Sequence, residues 1–167
     1  RDPIKAAIST LSINSFRDPI KAAISANKVI SQLVAFHAVA DANQNHLNKD
    51  QTIVFETVLL NIGNGYHDNH GLFTAPVSGI YVFSVSMMNQ ADSDHHRIQV
   101  GLKKNGVYLA RTMSDGKSIN YDQGSFTVTS QMDAGDDVWV AVYNPLTNVY
   151  LYGNRYSSFT GFLLAAM

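Results

Sequence analysis

Two stretches of this 167-residue chain set imidazoles beside carboxylates. His67-Asp68-Asn69-His70 carries two histidines three apart in a polar segment, and Asp92, Asp94, His95 and His96 form a second cluster. Imidazole with carboxylate suits zinc or copper, but a complete site needs three or four converging ligands. The oxygen-rich 92–96 group would suit calcium. For both stretches a solvated polar loop is the favoured reading. A different mixture occupies Asp115, Lys117, Asn120, Tyr121 and Asp122, and again Tyr150, Tyr152, Asn154, Arg155 and Tyr156. A ring can stack on the apolar face of a sugar while neighbouring carboxylates accept hydrogen bonds from its hydroxyls. Ordinary surface loops carry the same residue types. There is no G-x-S-x-G elbow, no H-E-x-x-H and no glycine-rich phosphate loop. With no cysteine, thiolate nucleophiles and thiolate metal sites are excluded. The reading is therefore non-enzymatic, with no catalytic residues and no required cofactor; bound calcium is held open.

The elements that must position these loops are strands. From Leu33 onward, short apolar stretches are separated by glycine, asparagine, aspartate and proline. Strands are expected over 33–40, 52–60, 71–74, 79–89, 97–103, 107–113, 123–132, 136–143, 148–152 and 158–166. Turn signals at Asn64-Gly65, Asn105-Gly106, Asp115-Gly116, Ala134-Gly135-Asp136 and Asn144-Pro145 punctuate most of them. Many short strands without a long helix indicate an all-β sandwich or jelly roll.

The faces of these strands differ. Ile98, Val100 and Leu102 alternate with Gln99, Gly101 and Lys103, and Phe126, Val128 and Met132 alternate with Thr127, Thr129 and Gln131. Such strands bury one face and wet the other. Three others are apolar on both faces. Tyr81, Phe83 and Val85 oppose Ile80 and Val82; Val138, Val140 and Val142 oppose Trp139, Ala141 and Tyr143; Phe159, Leu163 and Ala165 oppose Phe162, Leu164 and Ala166. A two-layer sandwich has one interior, so doubly apolar strands point to a second burial site on identical neighbours. Tyr81, Phe83, Val85, Trp139, Phe159 and Phe162 are thus candidates for core or subunit contact. An aspartate at Tyr81 or Trp139 is expected to break assembly or folding.

Residues 1–33 differ in character and read as a helical extension ahead of a domain at 34–167. Arg-Asp-Pro-Ile-Lys-Ala-Ala-Ile-Ser stands at 1–9 and again at 17–25, which is either a recent duplication or an error in assembling the sequence. Asp2 and Asp18 suit N-caps, and Pro3 and Pro19 suit the first helical position. Ile20, Ala23, Ile24, Asn27, Ile30 and Val34 make one stripe at three- and four-residue steps. The stripe fits a three-helix stalk with Asn27 in its seam, or an amphipathic extension.

Charged residues make up only 15% of the chain, below the usual quarter, which suggests a surface partly covered by a partner. The net charge of −1 and the absence of basic clusters exclude nucleic acid and anionic membrane as favoured partners. No apolar run reaches the ~18–20 residues that span a bilayer. No N-glycosylation sequon and no signal peptide are visible, and the chain starts at Arg1, so a processed or truncated form is expected.

One set of spacings is specific. Phe55 is followed by Asn61, Tyr66, Phe73 and then Gly79-x-Tyr81-x-Phe83, with Val85 in the last place. Val34-Ala35-Phe36-His37-Ala38, Gly71-Leu72-Phe73-Thr74-Ala75-Pro76, Gly135-Asp136-Asp137-Val138-Trp139-Val140 and Ser158-Phe159-Thr160-Gly161-Phe162-Leu163-Leu164 surround it. Over 34–167 the sequence resembles the globular head of complement C1q, the C1q/TNF-like jelly-roll family. Val85 departs mildly from the phenylalanine or tyrosine usual there. The resemblance implies a jelly-roll sandwich of about ten antiparallel strands, secretion, and a compact homotrimer. Collagen Gly-X-Y repeats are absent, as in the collagen-less C1q-domain proteins of molluscs and other invertebrates. It implies lectin-like binding of glycans or microbial surface ligands in innate immunity. The alternative is an extracellular matrix or body-fluid protein that binds calcium or transition metals; a TNF-like receptor ligand is a third reading.

Overall fold

The computed structural model describes residues 17–25, 33–90, 97–116, 121–145 and 150–167. The chain divides after Leu33. Residues 17–25 are helical, with Pro19 in the first turn, where its missing N–H leaves nothing unpaired. Ile20 and Ile24, four apart and therefore on one face, are both exposed. Asn27 and Ile30, and the first copy of the nonapeptide, lie outside the described residues.

Among the described residues ten strands form two five-stranded antiparallel sheets. The first sheet contains β1 (Ala35–Ala40), β2 (Thr57–Ile62), β5 (Gly79–Gln90), β8 (Tyr121–Met132) and β10 (Ser157–Ala166), in the order β2-β1-β10-β5-β8. The second contains β3 (Tyr66–His67), β4 (Leu72–Thr74), β6 (Arg97–Lys104), β7 (Val107–Asp115) and β9 (Asp137–Pro145), in the order β3-β4-β9-β6-β7. This is the expected jelly-roll sandwich. The hairpin joining β6 and β7 turns on Asn105 and Gly106, both at positive φ, which is the geometry an Asn-Gly pair tolerates at least cost.

Alternation puts Tyr81, Phe83, Val85 and Met87 inward from β5, Ile98, Val100 and Leu102 from β6, and Val138, Val140 and Val142 from β9, all essentially inaccessible to solvent. Phe36 is the hub of the interior. Its ring stacks on Tyr66 at 5.0 Å and on Phe73 at 4.8 Å, and meets Phe159 edge-on at 4.8 Å. Gly161 of β10 makes room for it: a Cβ there would sit 2.5 Å from the Phe36 ring and 2.6 Å from that of Phe83. Asn61 is the one polar member of the spaced set and binds backbone. Its amide donates to the Tyr66 carbonyl at 2.9 Å and accepts from the Tyr66 N–H at 3.1 Å, so it closes the turn that carries Tyr66 inward. The buried Tyr66 hydroxyl donates to the Phe55 carbonyl, and burial pushes its pKa well above that of a free phenol.

The expected strand pattern is revised in places by the structure. The apolar run 52–60 is not one strand. Residues 50–53 lie beside β9, with the Ile53 N–H donating to Val140 and the Val142 N–H to Gln51, and only from Thr57 does the chain join the first sheet as β2. The segment passes from one sheet to the other, which periodicity alone does not reveal. The two-residue β3 is too short for its pattern to register. Of the expected strand 148–152, residues 148 and 149 lie outside the described residues; Leu151 makes only single bridges, to Gln44 and Asn89.

The doubly apolar strands have different fates. The inward residues Tyr81, Phe83, Val85 and Phe159 fill the subunit's own core. On the outer face of β9, Trp139 and Tyr143 are half-buried and Ala141 is fully buried within the subunit. The outer face of β10 is open: Phe162 is 42% exposed and Leu164 62%. Direct cross-strand partners put Ile62, Ala35, Phe162 and Val82 in one row across four strands. Leu60 lies in the next row.

The loop end that holds Asp136 is tied by charge. Its carboxylate meets Lys104 at 2.9 Å and accepts from the Asn105 side chain at 2.7 Å and the Asp133 N–H at 2.8 Å. Lys104 first, then Asn105 and the Asp133 amide, hold its pKa at about 2, below the ordinary 3.8. Because the folded pKa is depressed, this contribution is present above pH 3.8 and is lost as pH falls toward 2. In urea titrations over that interval, wild-type stability is expected to fall more steeply with acid than that of Asp136→Asn; parallel acid limbs would contradict the assignment.

Candidate functional site

At one end of the sandwich, three tyrosines from two separated segments meet. Tyr121 opens β8, beside the last residues of β5. Tyr152 and Tyr156 lie on the segment between β9 and β10. The Tyr121 and Tyr152 ring centroids are 4.9 Å apart and inclined by 59°, and those of Tyr152 and Tyr156 are 5.5 Å apart and inclined by 40°. With Met88 they line a cleft of about 220 Å³. Tyr121 and Tyr156 are each about half exposed, at 51% and 49%.

The cleft is built on fixed backbone. The Tyr152 N–H donates to the Met88 carbonyl at 2.8 Å, and the Ser157 hydroxyl, which accepts from the Met88 N–H, lies 2.9 Å from the Tyr152 carbonyl. Asn154 and Arg155 both adopt positive φ, 52° and 65°, in the turn between the two tyrosines. For arginine this is an uncommon, strained conformation, and it is held from outside the turn. The Asn154 N–H donates to Asp41 and the Arg155 N–H to Ala40, while the Arg155 side chain pairs with the Asp41 carboxylate at 3.0 Å. Asp41 is held below the usual carboxylate range by the Thr57 hydroxyl first and then by Arg155. The Gln123 amide reaches the Ser86 hydroxyl at 2.6 Å and the Tyr156 carbonyl at 3.3 Å. A side-chain hydrogen bond with Tyr152, ahead of burial, raises the Tyr121 pKa. The result is a concave set of ring faces edged by hydroxyls, which supplies stacking and hydrogen bonding rather than an acid–base pair.

Among the described residues, the two polar-aromatic loops of the sequence therefore contribute to one place through tyrosines. Asp115 pairs with Arg97 at 2.8 Å, and its N–H donates to the Asp122 carboxylate at 2.6 Å, so both acids fasten the open ends of β7 and β8. Tyr150 is half-buried, Asn154 exposed. Lys117 and Asn120 lie outside the described residues, as do Asp92, Asp94, His95 and His96. His67, the last residue of β3, and His70, in the turn that follows, are both exposed, and the His70 and Gly71 N–H groups donate to the His67 carbonyl. Among the described residues no three His, Cys, Asp or Glu side chains stand together in a metal-binding arrangement. Also among those residues, no helix is long and apolar enough to cross a membrane. Sequence reasoning missed Met88 as a wall of the cleft, since its place on a strand carries no chemical signal.

The fold and cleft can be set beside known proteins. The family model of the C1q domain matches residues 35–164. This chain belongs to that family. The C1q domain here is 35% identical over 119 residues to complement C1q tumor necrosis factor-related protein 3 of Homo sapiens and of Mus musculus, covering 70% of this chain and 46% of each relative. The chain thus spans about half the length of those relatives. Among solved structures, the globular domain of zebrafish complement 1qA superposes with a TM-score of 0.67 at 19% identity, over 80% of this chain and 99% of that one. The Eiger TNF of S. frugiperda gives 0.65 at 16% identity, over 81% and 95%. At such identities these neighbours speak for the shared jelly-roll fold. The C1q match encloses all the spaced residues from Phe55 to Val85, nearly all of which face the interior, so the family pattern is at root a core pattern.

Proposed function

We propose that this C1q domain is an extracellular, non-enzymatic recognition module that assembles as a homotrimer and takes glycans or other microbial surface ligands in its tyrosine clefts. The observation that carries the reading is the convergence of Tyr121, Tyr152 and Tyr156 on one exposed concavity with a rigid backbone. Inclined rings that carry hydroxyls accommodate the apolar face and the hydroxyl rim of a pyranose. A shallow cleft of this size holds one or two sugar residues weakly. Three copies on one particle convert weak contacts into useful avidity on a repetitive surface. Self-association is supported by the row Ile62, Ala35, Phe162 and Val82, which offers a second copy of this chain an apolar face. The exposed Ile20 and Ile24 of helix 17–25 would extend that association as a short stalk.

The test is a glycan array followed by saturation-transfer NMR on the best ligand, with Tyr152→Ala as the variant. Removing the central ring is expected to lower affinity at least about tenfold, the equivalent of about 1.4 kcal/mol, with an unchanged melting profile. Binding that survives the substitution undiminished would move the ligand elsewhere. The metal-binding extracellular reading is tested in parallel by calorimetry with calcium, zinc and copper; a stoichiometric ion without glycan binding would replace the first reading by the second.

A further inference from the structure

The outer face of the second sheet carries a cation in an unusual setting. The Arg111 guanidinium carbon lies 3.8 Å from the ring centroid of Tyr143 and 4.6 Å from that of Tyr108. The two rings stand perpendicular, 5.4 Å apart. Gly101, directly across from Arg111 on β6, leaves the space this needs: a Cβ there would come within 2.5 Å of the Tyr108 ring. The neighbouring cation is already satisfied, since Lys103 pairs with Asp50 at 2.6 Å. Arg111 has no carboxylate and no hydrogen-bond acceptor among the described residues. Its orientation is set by ring faces, which leave the N–H edge of the guanidinium unused. Beside it opens a cleft of about 240 Å³ lined by Gln99, Arg111, Thr112, Met113 and Tyr143, none of which belongs to the tyrosine cleft.

We propose that this cleft binds a carboxylated sugar residue, with the carboxylate paired to Arg111 and the ring resting against Tyr143 and Met113. A planar guanidinium fork matches a carboxylate through two parallel hydrogen bonds. One uncompensated positive charge balances a monoanion, whereas a phosphate monoester, at about −1.5 to −2 near neutral pH, would be left partly unneutralised. Gln99 supplies an amide group for sugar hydroxyls, and the half-exposed Met113 supplies an apolar wall. This site lies on the sheet opposite the proposed subunit contact, so assembly through the first sheet leaves it open. The inference stands independently of ligand binding at the tyrosine cleft.

The experiment is ligand-observed NMR titration of the full chain with glucuronate, glucose, glucose 6-sulfate and glucose 6-phosphate, on wild type, Arg111→Gln, Arg111→Lys and Tyr152→Ala. Glucuronate is expected to bind most tightly and to weaken as salt is raised. Arg111→Gln is expected to lose about tenfold or more of that affinity. Arg111→Lys, which keeps the charge but not the fork, is expected to lose part of it. Tyr152→Ala is expected to leave glucuronate unaffected. Equal binding of glucose and glucuronate, tighter binding of the sulfate or phosphate, or full affinity in Arg111→Gln would each overturn the proposal. Loss in Tyr152→Ala alone would assign the sugar to the other cleft and overturn it as well.

Discussion

Phe162→Asp is expected to convert the proposed trimer into folded monomers. The side chain points away from the subunit interior, beside Ala35 on β1 and Val82 on β5, and 42% of its surface is open. A charge there costs the isolated subunit little. In a face buried between subunits it costs several kcal/mol at each contact, because the carboxylate finds no partner among the alanine, valine and isoleucine of its row. Sedimentation equilibrium should give three subunits for wild type and one for the variant, with matching β-sheet circular dichroism. A wild type that stays monomeric at all concentrations, or a variant that stays trimeric, would remove this face from assembly.

Phe36→Ala is expected to produce the largest loss of stability, about 3–5 kcal/mol. The ring touches Tyr66, Phe73, Phe83 and Phe159, and these come from strands of both sheets. Their rigid rings do not close the space left behind, so a cavity persists. Urea unfolding monitored by tyrosine fluorescence, with an unchanged m-value, checks it; a loss under about 1 kcal/mol would mean that the neighbouring rings collapse inward. The same reasoning settles where Tyr81 acts. Its ring is fully buried against Phe73 and Phe83, and its hydroxyl donates to Val77 at 2.8 Å, so aspartate at 81 attacks folding rather than the subunit contact.

The strand pattern was legible because alternation reports which face meets the interior. Tyr81, Phe83 and Val85 and the aromatic residues from Phe55 to Phe73 all lie where their spacing indicates. Alternation does not report what lies outside. It treated β9 and β10 alike, yet Trp139, Ala141 and Tyr143 are largely covered within their own subunit while Phe162 and Leu164 stay open. Nor did it show that Asp115 and Asp122 would be spent on fastening strand ends.

From the order of residues alone came the all-β sandwich, its Asn-Gly hairpin, its aromatic interior and its family, since each depends on local backbone preference and on the period of burial. The tertiary structure alone joined Tyr121 to Tyr152 and Tyr156, and set Arg111 between Tyr108 and Tyr143. Those meetings depend on which strands become neighbours and in what register, and register is a property of the whole packed sheet rather than of any one segment.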